Sequence, residues 1–102
     1  MSRLDEITEQ MRTAVGSDSG LGKTLKFDLK GEGFIFINGG TVNNENAPAD
    51  LTMTLTMKDL IAIGEGKLDP MAAVMTGRLK LSDMAAAMAL QGKIAALFSK
   101  VR

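Results

Sequence analysis

The chain has 102 residues, with twelve basic and twelve acidic side chains and no block of like charge, so the electrostatic footprint of a nucleic-acid binder is missing. It has no cysteine, hence no disulfide framework or thiolate site, and no histidine, the commonest general base and metal ligand. One domain, residues 1–102, is expected at this length, with little apolar material to spare for a large internal cavity. From the N-terminus, MSRLDEITEQ lacks a secretory apolar region, and no apolar run approaches the roughly 18 residues that suggest a membrane span. A cytoplasmic location is the expectation.

Leu4, Ile7, Met11 and Val15 recur at helical spacing with acids early, predicting an amphipathic helix that begins near Ser2 and ends at Gly16. SDSGLGKT, Ser17 to Thr24, looks like a phosphate-binding loop. That motif needs a glycine at Ser17, a strand before and a helix after, whereas here a helix precedes and a strand follows. Nucleotide hydrolysis is rejected. TLKFDLK alternates as a half-buried strand with Leu25, Phe27 and Leu29 on one side. FIFI (Phe34 to Ile37) is apolar on both faces, as in a strand covered on both sides. After Asn38-Gly39-Gly40, Thr41 to Asn43 makes a short strand, followed by the polar loop NENAPAD. LTMTLTM then alternates without a break, Leu51, Met53, Leu55 and Met57 facing one way and three threonines the other.

The second half changes period. KDLIAIGEGK predicts a short helix over Leu60, Ile61 and Ile63 that stops near Gly64 or Gly66. Asp69 is placed as the N-cap of another helix with Pro70 in its first turn, and Gly77 ends it. RLKLS is a last strand with Leu79 and Leu81 inward, and Ser82 or Asp83 caps a final helix from Met84. On that helix Leu90, Ile94, Leu97, Phe98 and Val101 form a stripe, with Gly92 as its weak point. The predicted architecture is α/β (α+β), an open, mainly antiparallel sheet with helices gathered on one face.

The methionines carry the functional question. Met71 and Met75 are four apart, as are Met84 and Met88, so each pair stacks on one helix face. A single methionine on an apolar face is ordinarily core filler. Eight methionines against four Phe and no Trp or Tyr instead suggest an adaptable apolar wall that re-packs around different guests, or a helix interface.

ADLTMTLTMKDLIAIGEGKLDPMAAVMTGRLKLSDMAAAMAL, Ala49 to Leu90, resembles the sterol carrier protein-2 family, with GKLDPMAA linked to GRLK as the strongest piece and GLGKTLKF and FIFINGG upstream. The resemblance runs from Leu21 to Gln91. It implies a five-stranded sheet, helices on one face and an apolar tunnel between them that takes fatty acids, fatty acyl-coenzyme A, sterols or phospholipids, with no cofactor and no catalysis. Transient membrane contact suits such a carrier, and both monomer and homodimer remain open. On this resemblance the lipid-facing side chains fall on Met53, Leu55, Leu60, Ile63, Met71, Met75, Leu79, Leu81, Met84 and Met88, and Gln91 meets a head group or stays solvated. Family members commonly carry a glycine between the last strand and the DM of the final helix, where this chain joins Ser82 directly to Asp83. It ends Ser99-Lys100-Val101-Arg102 rather than in a Ser-Lys-Leu tripeptide, so no peroxisomal address is expected. Lys93 to Arg102 runs past the matched region and is expected either to close the tunnel mouth or to pack on a partner subunit. Two rival readings are a small acid-base enzyme using Asp69 or Asp83 in an apolar pocket and a homodimeric interaction module.

Overall fold

A computed structural model of the chain describes residues 2–16, 20 and 22–101. The first helix, α1 (Arg3–Val15), starts at a reciprocal cap: the Ser2 hydroxyl accepts from the Asp5 amide while Asp5 accepts from the Ser2 amide. Two orphan donors are satisfied there without tertiary help. The helix buries Ile7, Met11 and Val15, and Arg12 ties it to the sheet by donating to the Val42 carbonyl at 2.6 Å. Ser17, Asp18, Ser19 and Leu21 of the phosphate-loop look-alike lie outside the described residues, but the element order around it is the one read from sequence, helix before and strand after.

Five strands form one sheet among the described residues: β1 (Leu25–Asp28), β2 (Phe34–Asn38), β3 (Thr41–Asn43), β4 (Leu51–Thr54) and β5 (Lys80–Leu81), in the order β3-β2-β1-β4-β5. Three of the four pairings are antiparallel and β1 with β4 is parallel, so the sheet is mixed. The parallel pair arises because the chain leaves β3 at one edge and crosses back to β4. Asp50 anchors the landing, accepting from the Thr24 amide at 2.9 Å and from the Thr24 hydroxyl at 3.1 Å. Those bonds, the backbone one foremost, hold the Asp50 carboxyl below its ordinary pKa.

In register, Val42, Ile37, Leu25 and Leu51 fall in one row across the sheet, and Ile35, Phe27, Met53 and Leu81 in the next. These side chains form the floor on which the helices pack, and all but Leu81 are fully in the core. The outer face carries Thr52, Thr54, Lys26 and Phe34, with the Lys26 ammonium 5.7 Å from the Phe34 ring centre and bonded to Asn46. The Lys26–Asn46 bond brings the crossing loop to this face, on which Phe36 is buried.

The alternating run expected to continue to Met57 ends earlier. Thr56 accepts from the Asp59 amide and starts α2 (Met57–Gly64), because a threonine placed to cap outweighs one more residue of alternation. Both α2 and α3 (Pro70–Met75) end in the same six-residue motif. Lys67 N donates to Ala62 O and Arg78 N to Ala73 O, with Gly66 and Gly77 at φ 78° and 77° in the left-handed position that glycine adopts without strain. Asp69 caps α3 by accepting from Ala72 N at 3.1 Å.

The final helix is not continuous. It divides into α4 (Met84–Ala89), capped by Asp83, and α5 (Gln91–Phe98), with the interruption at Leu90 rather than at Gly92. Ser82 does not cap; its hydroxyl accepts from Thr52 N at 2.8 Å and its amide donates to Thr52 O, extending the pairing of β5 with β4 by one residue. The segment expected to be a lid or partner interface is core: Ile94, Leu97, Phe98 and Val101 are buried, and the Phe98 ring meets Phe27 edge-on at 5.8 Å. At Gly64 a Cβ would stand 2.1 Å from the Val101 carbonyl oxygen, so a bare backbone is what lets the C-terminus lie on α2.

Candidate functional site

Between α3, α4, α5 and the β4–β5 edge lies a cleft of about 340 Å³. Its floor is Met53 of β4 beside its register partner Leu81, with Leu79. On α3 the lining residues are Pro70, Met71 and Val74, and on α4 they are Met84, Ala87 and Met88. The back wall is the stripe Gln91, Ile94, Ala95 and Phe98 of α5, at spacing i, i+3, i+4, i+7 on one face. Phe98 thus serves two surfaces, with one side toward the cleft and one toward Phe27 in the core.

The cleft opens to solvent through its methionines. Met71, Met84 and Met88 are 58%, 50% and 66% exposed, although each contributes to the lining. An enclosed tunnel is not what the structure shows. An empty, sealed void of this size would cost about 8 kcal/mol at 24 cal/mol per Å³, a penalty that an open cleft filled by water does not incur.

Seven of the residues assigned to a lipid wall from sequence line this cleft: Met53, Met71, Leu79, Leu81, Met84, Met88 and Gln91. Four do not. Leu55 is fully buried where the chain turns from β4 into the Thr56 cap, and Leu60 and Ile63 join the core where α2 packs on α5. Met75 is 85% exposed. At 100° per residue it sits about 100° from the centre of the Pro70, Met71, Val74 stripe, so stacking on Met71 does not carry it into the cleft. Val74, Ala87, Ala95 and Pro70 also line it without having been assigned from sequence, as do Ile94 and Phe98, expected at a tunnel mouth or partner face, and Asp69, named only as a candidate acid. Counting a helical stripe forward from Gln91 finds the α5 set; nothing in the sequence says which edge of α3 turns inward.

The polar groups in the lining are Asp69 and Gln91, both exposed. The second candidate acid, Asp83, accepts from Ala86 N as the α4 cap and is not part of the lining. Asp59 is buried but paired with Arg78 at 2.7 Å. No helix of the described residues is long and apolar enough to cross a membrane.

The family model of the SCP-2 sterol transfer family matches residues 4–94. The chain belongs to that family. Its fold is shared with several solved members. Sterol carrier protein 2 like 2 from Aedes aegypti is 23% identical with a TM-score of 0.73, the match covering 91% of this chain and 94% of that one. Sterol carrier protein 2 from Yarrowia lipolytica, in its apo form, is 23% identical with a TM-score of 0.63, covering 92% of this chain and 77% of that one. The fold also occurs inside an enzyme: the sec-alkylsulfatase Pisa1 from Pseudomonas sp. is 25% identical with a TM-score of 0.54, covering 89% of this chain and 14% of that one. No functionally curated protein matches the sequence. Membership makes this a domain of a lipid-binding and lipid-transfer family.

Proposed function

We propose that this protein is a non-catalytic carrier that takes fatty acids, fatty acyl-coenzyme A, sterol-like lipids or phospholipids into the cleft in the cytoplasm and exchanges them with membranes by transient contact. The observation that carries this is the wall itself. Three solvent-exposed methionines surround an apolar floor, and unbranched thioether side chains adapt to guests of different shape. A sixteen-carbon chain leaving water gains on the order of 12 kcal/mol at about 0.8 kcal/mol per methylene, against an association cost of about 4 to 15 kcal/mol. Micromolar affinity, suited to exchange, is the expectation.

An acid-base enzyme is less well supported. Asp69 is exposed, already employed as a cap, and accompanied in the lining only by the neutral amide of Gln91. A homodimer that buries Met71, Met75, Met84 and Met88 is the second reading, favoured by the exposure of all four. Native mass spectrometry and ligand-dependent melting separate them. A carrier co-purifies with lipid as a monomer, and at about 100 times the dissociation constant a ligand adds roughly 2.7 kcal/mol. At about 4 to 8 °C per kcal/mol that raises the melting midpoint by more than ten degrees, increasing from eight to sixteen carbons. A lipid-free obligate dimer whose midpoint no chain length moves refutes the carrier.

A further inference from the structure

The cleft's polar inventory is one-sided in charge. Among the described residues its lining contains one ionisable side chain, Asp69, one neutral amide, Gln91, and no lysine or arginine. Three neighbouring cations have partners elsewhere, and Lys80, between Leu79 and Leu81, pairs in register with Thr54 on the outer face of the sheet. Arg78 is paired with Asp59, Lys67 lies 3.7 Å from Glu65, and Lys93, two residues beyond Gln91, donates to the Gly20 carbonyl. Of the first residues of α3, Pro70 has no N–H to offer and Ala72 N already donates to Asp69 Oδ2. An anionic head group beside Asp69 therefore meets a carboxylate and no lysine or arginine of the lining.

We propose that the cleft discriminates by head group, favouring lipids that end in a hydroxyl or an amine over those that end in a carboxylate or phosphate, with Asp69 and Gln91 as the selecting side chains. This rests on the carrier reading and ranks its ligand classes. A hydroxyl donates to a carboxylate in a charge-assisted bond, stronger than its neutral counterpart, and both donates to and accepts from a primary amide such as that of Gln91. A carboxylate head can only accept, so it has nothing to offer Asp69. At about 4 Å in water, two like charges weaken binding about fivefold, and more where the apolar wall displaces solvent.

The test holds the chain constant and varies the head. Laurate, 1-dodecanol and dodecylamine, each below its micelle threshold, displace an uncharged solvatochromic dye from the wild type and from Asp69→Asn. Asparagine caps a helix as well as aspartate does, so the variant removes the charge while keeping α3 in place, which a matching melting curve checks. Dodecanol partitions into any apolar surface better than laurate does, so the deciding quantity is the dissociation constant of laurate divided by that of dodecanol. That ratio should fall about fivefold in the variant, and dodecylamine should lose a comparable factor. An unchanged ratio, or equal loss for all three heads, overturns the selectivity and leaves the carrier standing. If no ligand displaces the dye from the wild type, the carrier reading itself fails.

Discussion

Single residues decide where this molecule is tight and where it is open. Gly64 lies under the C-terminal backbone: a Cβ there would be 2.1 Å from Val101 O and 2.7 Å from Phe98 O, both main-chain atoms that cannot swing aside. Gly64→Ala should therefore destabilise by about 1 to 3 kcal/mol, a drop of several degrees in a thermal melt. Gly92 is the contrast, because nothing lies within 4 Å of its would-be Cβ. Gly92→Ala should stabilise by up to about 1 kcal/mol through helix propensity. At the cleft, Met88 both lines the wall and stands 66% exposed. A lysine there keeps its ammonium hydrated, so Met88→Lys should leave the circular dichroism melt unchanged while weakening binding of an uncharged solvatochromic dye, which loses the thioether's apolar contact. Undiminished binding removes Met88 from the site.

At the scale of elements, caps and terminal motifs account for most boundaries. The helices α1, α2, α3 and α4 each begin at a side-chain cap, on Ser2, Thr56, Asp69 and Asp83 respectively, while α5 begins without one directly after α4. The parallel join of β1 to β4 depends on a different device, the mutual bonding of Thr24 and Asp50. Because the Asp50 carboxyl is held below its ordinary pKa in the folded protein, its contribution is present above the unfolded value and disappears as pH falls through the lowered one. Wild type should therefore melt above Asp50→Ala near neutral pH, and the gap should close on acidification below the ordinary carboxylate range. A gap that is constant with pH would mean the charged form is not what Thr24 holds.

For the whole molecule, the C-terminal segment was the element most open to misjudgement. Burying Ile94, Leu97, Phe98 and Val101 is worth about 1.5 to 3 kcal/mol each, together about 6 to 12 kcal/mol and comparable with the net stability of about 5 to 15 kcal/mol usual for a domain. Deleting residues 93–102 should abolish the cooperative melt. A truncated protein that still melts sharply and releases lipid faster would restore the lid.

What was legible in the sequence was whatever depends on neighbours along the chain. The Ser2 cap, the alternation of Leu25 with Phe27, the Asp69-Pro70 helix start and the helical spacing of Met84 with Met88 are local, and the hydrogen bonds and periodicities that enforce them operate within a few residues. What only tertiary structure decided was orientation. Met71 and Met75 have the same chemistry and differ by one turn, yet one lines the cleft and the other faces solvent, because the packing of Ala73 into the core sets the rotation of α3. Leu60 and Ile63 look as lipid-facing in sequence as Leu79 does, but α2 packs on α5 and uses them there. Whether the apolar space is a sealed tunnel or an open cleft depends on the approach of α3 to α4. The two share no local hydrogen-bond pattern, so that distance is set by the whole fold.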